Sequence, residues 1–278
     1  MSELPSRRRA LFRMMRNSNR GKSVKYEEYA EVTAQERIAS DVYSLWIRAE
    51  QIAEEAKPGQ FLSLYTGDDS RMLPRPISIC EIGRTAGLIR MVYRTVGKGT
   101  EEFSRLRAGG RIRVVGPLGN GFPLDRGGKK ALLMGGGIGI PPMVQLAREL
   151  SGEVQIVAGY RDELFLTEEL EAVGTLCIAT EDGSAGTKGN VLDVVREQGL
   201  TADVIYACGP RPMLRAVRDF AETEGIECWL SMEERMACGV GACLACVCRS
   251  VETDPHTRVH NKRVCKDGPV FLSTEVEL

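Results

Sequence analysis

No stretch of this 278-residue chain reaches the roughly 20 apolar residues that a membrane-spanning helix needs. Nor does its start carry an apolar run of signal-peptide length: Ala10-Leu11-Phe12 and Met14-Met15 are broken by arginine. Charge of one sign is also missing. A formal net charge of −1 removes any general attraction to nucleic acid or membrane surfaces. Internal repeats and low-complexity segments are absent. So is a disulfide framework, because the nine cysteines are odd in number and four of them crowd between Cys238 and Cys248. These absences leave a soluble cytoplasmic protein as the expectation, with clustered thiols that point to metal or redox chemistry.

The small net charge hides an asymmetry. Residues Met1 to Lys25 hold eight Lys or Arg and one acid, and the remainder has the opposite excess. The basic start reads as a disordered, solvated extension, with contact to an acidic partner or to nucleic acid as the alternatives. At 43% hydrophobic residues the rest can bury a normal core.

Three regions follow. From residue 26 to 125, short alternating runs (Tyr29–Val32, Val42–Ile47, Phe61–Tyr65, Ile77–Cys80, Leu88–Tyr93, Ile112–Val115) are punctuated by Gly and Pro. That pattern predicts a small antiparallel β-barrel, with one short helix near Thr100–Leu106. From 126 to 230 the rhythm changes. Apolar strands at Ala131–Met134, Val154–Gly159, Leu176–Ala179 and Val204–Ala207 alternate with helical spacing, including a helix over Pro212–Glu222. Such alternation predicts an α/β domain with a parallel sheet. From 231 to 278 the pattern is irregular and cysteine-rich, too short to bury a core alone, so metal bonds would supply the cross-links.

The strongest motif is Cys238-Gly-Val-Gly-Ala-Cys243-Leu-Ala-Cys246 with Cys265 further on. This is the C-x4-C-x2-C…C spacing of plant-type [2Fe–2S] clusters. Gly239 and Gly241 would let the loop wrap with its N–H groups facing sulfur. A structural zinc site is the alternative, but zinc loops pair cysteines as C-x2-C, which only Cys243 and Cys246 satisfy. Cys248, Cys80, Cys177 and Cys228 read as small buried hydrophobes.

Two nucleotide-binding patterns precede the cluster. Arg75-Pro76-Ile77-Ser78 opens a barrel strand, where an Arg can pair with phosphate and a Ser can hydrogen-bond a flavin ring. Val92-Tyr93-Arg94 and Gly97-Lys98-Gly99-Thr100 follow, the latter a glycine turn into a helix. In the α/β region, Gly135-Gly136-Gly137-Ile138-Gly139-Ile140-Pro141-Pro142 follows the first strand, and Cys208-Gly209-Pro210 ends the last clear one. Both loops fall at the carboxyl edge of the sheet, where dinucleotides bind. Asp162 and Glu163 beside Arg161 would repel a 2′-phosphate, which favours NAD over NADP; a solvated turn is the plainer reading.

A flavin barrel, a nucleotide domain and a plant-type cluster in series resemble the ferredoxin-reductase superfamily. Within it the chain is most similar to the electron-transfer subunits of class 1B dihydroorotate dehydrogenases. The resemblance covers about residues 26–278 and rests on the motifs above together with Lys262-Arg-Val-Cys265-Lys-Asp-Gly-Pro-Val. It implies FAD contacts at Arg75, Pro76, Ile77, Ser78, Val92, Tyr93, Arg94, Gly99 and Thr100. It implies NAD contacts at Gly135, Gly136, Gly137, Gly139, Cys208, Gly209 and Pro210, with Cys208 near the nicotinamide. Cluster ligands would be Cys238, Cys243, Cys246 and Cys265, and no side chain need act as an acid–base catalyst. The implied partner is an FMN-containing catalytic subunit in a heterotetramer, two of each, active in pyrimidine biosynthesis. Two departures stand out: the basic extension before Tyr26, and Ile77 where the superfamily often has Tyr. The rival readings are an electron-transfer subunit of a sulfide dehydrogenase or a ferredoxin:NADP oxidoreductase, and a metal-stabilised binding module without enzymatic activity.

Overall fold

Alternation of inward and outward side chains closes six strands into an antiparallel barrel. These are β1 (Tyr26–Arg37), β2 (Val42–Arg48), β3 (Phe61–Tyr65), β4 (Arg75–Gly83), β5 (Leu88–Arg94) and β6 (Arg111–Leu118), in the order β1-β2-β5-β4-β3-β6. Val32, Leu45, Ile47, Leu62, Leu64, Ile79, Ile89, Met91 and Val114 fill the interior, as a period of two requires. The structure, a computed structural model, describes residues 24–68, 70–125, 129–253 and 258–278. The basic extension therefore lies outside the described residues up to position 23.

Two helices join the barrel strands. The first, α1 (Glu50–Glu55), was not legible in the sequence and buries Ile52 and Ala53. The second, α2 (Lys98–Phe103), begins and ends earlier than its apolar spacing suggested. It begins early because the Thr100 hydroxyl accepts from the N–H groups of Val96 (2.9 Å) and Gly97 (3.3 Å). It ends early because the N–H groups of Arg105 and Leu106 donate to carbonyls only three residues back, at 3.1 and 3.0 Å.

The α/β region runs through β7 (Ala131–Gly136), α3 (Pro141–Glu149), β8 (Val154–Tyr160), α4 (Thr167–Glu171), β9 (Thr175–Thr180), β10 (Thr187–Lys188), α5 (Val191–Gln198), β11 (Val204–Cys208), α6 (Arg211–Glu224) and β12 (Glu227–Ser231). Both faces of the central strands are covered, so β7 and β11 are buried along their whole length and read as unbroken apolar runs. Leu132, Met134, Ile205 and Ala207 enter the core on one face; Leu133, Val204 and Tyr206 enter that on the other. The chain lays β8 and β9 to one side of β7, then returns to place β11 on the other side. The carboxyl ends of β7 and β11 thus flank a topological switch point, where open α/β sheets bind ligands.

The last segment adds β13 (Val247–Cys248), β14 (Lys262–Arg263) and β15 (Val270–Leu272). It does not rely on cross-links alone, as its irregular sequence suggested. β15 joins the nucleotide sheet antiparallel to β12, with Leu230 opposite Phe271. Cys246, Cys248, Val264, Cys265 and Phe271 share one core with Leu132, Ile205 and Val217. Phe61 and Leu118 from the barrel complete that core.

Barrel and nucleotide domain are also joined by buried charge. Arg90 Nη1 on β5 bridges Glu81 on β4 (2.5 Å) and Glu169 on α4 (2.8 Å), while its Nε donates to Ser44 Oγ (2.8 Å). Arg148 on α3 pairs with the second oxygen of Glu81. Removing one partner of a buried network leaves an uncompensated charge. Arg90→Ala should therefore cost about 3–5 kcal/mol in urea unfolding; a loss under about 1 kcal/mol would mean that water compensates the two carboxylates.

Candidate functional site

A cleft of about 360 Å³ opens where the barrel, the nucleotide sheet and the C-terminal segment meet. Arg75 to Ser78 of β4 and Val92 to Arg94 of β5 form its barrel wall. Ile138, Ser231, Met232 and Glu233 stand opposite. The sequence-selected barrel residues are thus brought together, and their roles differ. Arg75 lies across the first turn of α2: a Cβ added at Gly99 would sit 2.1 Å from Arg75 Nε. A side chain at position 99 would push that guanidinium aside. The Thr100 hydroxyl is spent on its own turn, donating to the Gly97 carbonyl at 3.0 Å. Tyr93 turns its ring into the barrel, stacked on Tyr43 at 5.9 Å, and its hydroxyl bonds Gln35 at 3.1 Å. Arg94 pairs with Asp41 at 3.2 Å and also borders a second cleft.

That second cleft, about 470 Å³, is lined by Ser40, Asp41, Gly137, Tyr160 and the Arg161-Asp162-Glu163 turn. Gly137 and Ile138 therefore face different clefts. The two glycine-bearing loops meet behind them: a Cβ at Gly139 would lie 2.2 Å from the Cys208 carbonyl oxygen. Gly135 pairs in register with Cys208, and Gly136 with Gly159. Cys208 is 1% exposed, so its thiol belongs to the wall and does not line the first cleft. Burial, with the Glu233 charge, pushes it up to about 12 against a hydrogen bond with Ser231.

Sequence reasoning missed the far wall of the first cleft: Met232, Glu233, Glu234 and Met236, with Pro269 noted only as part of the cysteine motif. They lie just before or after the thiols, in segments with no nucleotide motif. Glu233 lines the cleft and is exposed to it. Desolvation there raises its pKa.

The four thiols at the cluster motif stand as two pairs. Cys243 Sγ is 3.3 Å from Cys238 Sγ, and the Cys265 thiol hydrogen-bonds with Cys246. Two pairs suit two irons, each holding two thiolates. Gly239 and Gly241 have φ of 65° and 83°, the left-handed region that glycine favours. Their turn aims N–H groups inward. Ala242 and Cys243 each donate to Cys238 Sγ at 3.3 Å. Burial pushes the Cys238 thiol up, but these N–H groups with those of Val240 and the Cys243 thiol prevail and bring it to about 6. The loop thus favours the thiolate, the form that binds iron. Cys265, fully buried, is pushed up to about 12 by burial and by Cys246. Cys248 points into the shared core and is 4% exposed.

Residues 233–277 match the family model for the iron-sulfur cluster binding domain of dihydroorotate dehydrogenase B. Over 255 residues the chain is 44% identical to the dihydroorotate dehydrogenase B (NAD(+)) electron transfer subunit of Geobacillus thermodenitrificans, covering 89% of this chain and 97% of that one. The protein of the same name from Listeria monocytogenes serotype 4a is 47% identical over the same shares. A solved NADH-dependent reduced ferredoxin-NADP oxidoreductase superposes with a TM-score of 0.81 at 31% identity, covering 90% of each chain.

Across the second cleft, Glu163 accepts from the Ser40 N–H at 2.8 Å and from the Ser40 hydroxyl. These bonds lower its pKa below the ordinary 4.5. A lowered carboxylate pKa gives stability that is complete above the ordinary value and lost as pH falls through the folded one. Glu163→Ala should lower the melting temperature by roughly 1 °C at neutral pH and by progressively less at acidic pH below the ordinary carboxylate value. An equal difference at neutral and acidic pH would show that the tie does not depend on ionisation.

Proposed function

Because the chain belongs to the family of dihydroorotate dehydrogenase B electron transfer subunits, we propose that it carries electrons between a catalytic partner subunit and NAD, through one [2Fe–2S] cluster and FAD. The observation that carries this reading is a shared wall. Phe61 lines the first cleft and packs in one core with Cys246 and Cys265, so a single barrel side chain touches both the cleft and the buried cluster cysteines.

In this reading the first cleft takes the flavin. Arg75, held over Gly99, pairs with its phosphates. Pro76, Ile77 and Val92 exclude water from the ring, Ser78 offers a hydroxyl to it, and Tyr93, Arg94 and Thr100 complete the contacts largely through backbone. Gly135, Gly136, Gly137 and Gly139 with Cys208, Gly209 and Pro210 form the switch-point loops that receive the dinucleotide. The carboxylates of Asp162 and Glu163 on the second cleft favour NAD over NADP. Cys238, Cys243, Cys246 and Cys265 hold the cluster. FAD, when bound, exchanges a hydride with nicotinamide and single electrons with the cluster. The chain's own work is to bind, orient and shield, with no side chain needed as an acid–base catalyst.

We read the partner as an FMN-containing subunit that oxidises dihydroorotate to orotate, in a cytoplasmic assembly with two of each subunit. The domain limits follow the same division: a basic extension to residue 25, an FAD barrel over 26–125, an NAD domain over 126–230 and a cluster domain over 231–278. Leu244, between two cluster cysteines and 68% exposed, is apolar surface where the partner would dock. Among the described residues no helix is long and apolar enough to cross a membrane.

Cys243→Ser should abolish dihydroorotate-driven NAD⁺ reduction in the reconstituted complex while NADH still reduces the flavin at close to the parent rate. Normal dihydroorotate:NAD⁺ turnover in that variant would refute the route. Gly99→Ala should displace Arg75 and weaken FAD retention by at least about tenfold, or about 1.4 kcal/mol. Flavin content after gel filtration reads this directly, and parent-like content would remove Arg75 from the phosphate site.

A further inference from the structure

Ser63 occupies the middle of β3, between Leu62 and Leu64, which face the barrel interior. By alternation its side chain points outward, where a serine would ordinarily meet water. It is only 2% exposed, because the cluster segment covers it. Its hydroxyl is one of the few buried polar side-chain atoms among the described residues with no hydrogen-bond partner. Leaving a buried hydroxyl unpaired costs about 1–3 kcal/mol, and alanine would fit this surface without that cost. A hydroxyl at this position therefore calls for an acceptor.

Its surroundings indicate which one. A Cβ added at Gly239 would lie 2.8 Å from Ser63 Oγ and 3.6 Å from Leu118 Cδ1, so the hydroxyl and the barrel wall rest against the loop one residue beyond Cys238. The register partners of Ser63 are Pro76 on β4 and Val115 on β6, neither of which has a polar side chain. Pro76 in turn lines the first cleft. Ser63 thus stands between the wall of the first cleft and the Cys238 end of the loop.

We propose that Ser63 is a positioning residue for the [2Fe–2S] cluster, its hydroxyl donating to sulfur at the Cys238 end of the loop. This rests on the cofactor reading above. The bond seats the loop against the barrel wall and stabilises the added negative charge of the reduced cluster, which raises its reduction potential. It supplements the N–H donors of Ala242 and Cys243 with one from another domain, so the barrel that holds the flavin also tunes the cluster.

The experiment is an EPR-monitored redox titration of the holoprotein, with pulsed EPR in D₂O to detect exchangeable deuterons near the reduced cluster. In Ser63→Ala the midpoint should fall by about tenfold in the reduction equilibrium, or about 59 mV for one electron. One deuteron coupling should disappear, and Ser63→Thr, which keeps the hydroxyl, should restore both. A Ser63→Ala protein with a full cluster signal, the parent midpoint and the parent coupling would overturn the inference. Were the alanine variant to bind no cluster, a loaded threonine variant with the parent midpoint would support it, and an equally empty threonine variant would overturn it. A parent protein without any cluster signal would instead count against the cofactor reading.

Discussion

The outer face of β3 meets the cluster loop, and the remaining architecture depends on that contact. Phe61 and Ser63 point away from the barrel, yet both are buried, because the C-terminal segment lies over them. The segment is too short to own a core and borrows one: Phe61 and Leu118 from the barrel, Leu132, Ile205 and Val217 from the nucleotide domain. Burying a side chain such as Phe271 there contributes roughly 1.5–3 kcal/mol. That packing joins Cys246 and Cys265 to Phe61, which lines the cleft.

The nucleotide sheet supplies the complementary constraint. Its switch point brings Gly139 against Cys208, and its edge accepts β15, so the C-terminal segment is anchored by ladder hydrogen bonds as well as by apolar contact. Arg90, Glu81, Glu169 and Arg148 hold the sheet's helices to the barrel from the other side. Three regions are therefore fixed around one cleft.

Much of this was legible in the sequence, for identifiable reasons. Thiol ligands to two irons demand close spacing on one loop, so the cluster motif stands out locally. Barrel strands declare themselves by alternation, and β7 and β11 by unbroken apolar runs. The opposite wall of the cleft was hidden, because Met232 and Glu233 come from a segment distant in sequence from Arg75 and carry no motif. The strands β12 and β15 were hidden because each is short and paired only through the tertiary fold. Ser63 was least visible of all: in a strand it looks like an ordinary surface serine, and only the covering loop makes it buried. Cys208 carries a related lesson: its place at the end of β11 was readable, the sequence left a core thiol and a nucleotide-loop residue equally open, and the fold buries it.

The proposed electron route requires that the two thiol pairs at the C-terminal end hold two irons with two sulfides. Iron and acid-labile sulfide analysis on anaerobically purified protein measures this most directly. About two of each per chain are expected. Zinc in their place, or iron without sulfide, would contradict it.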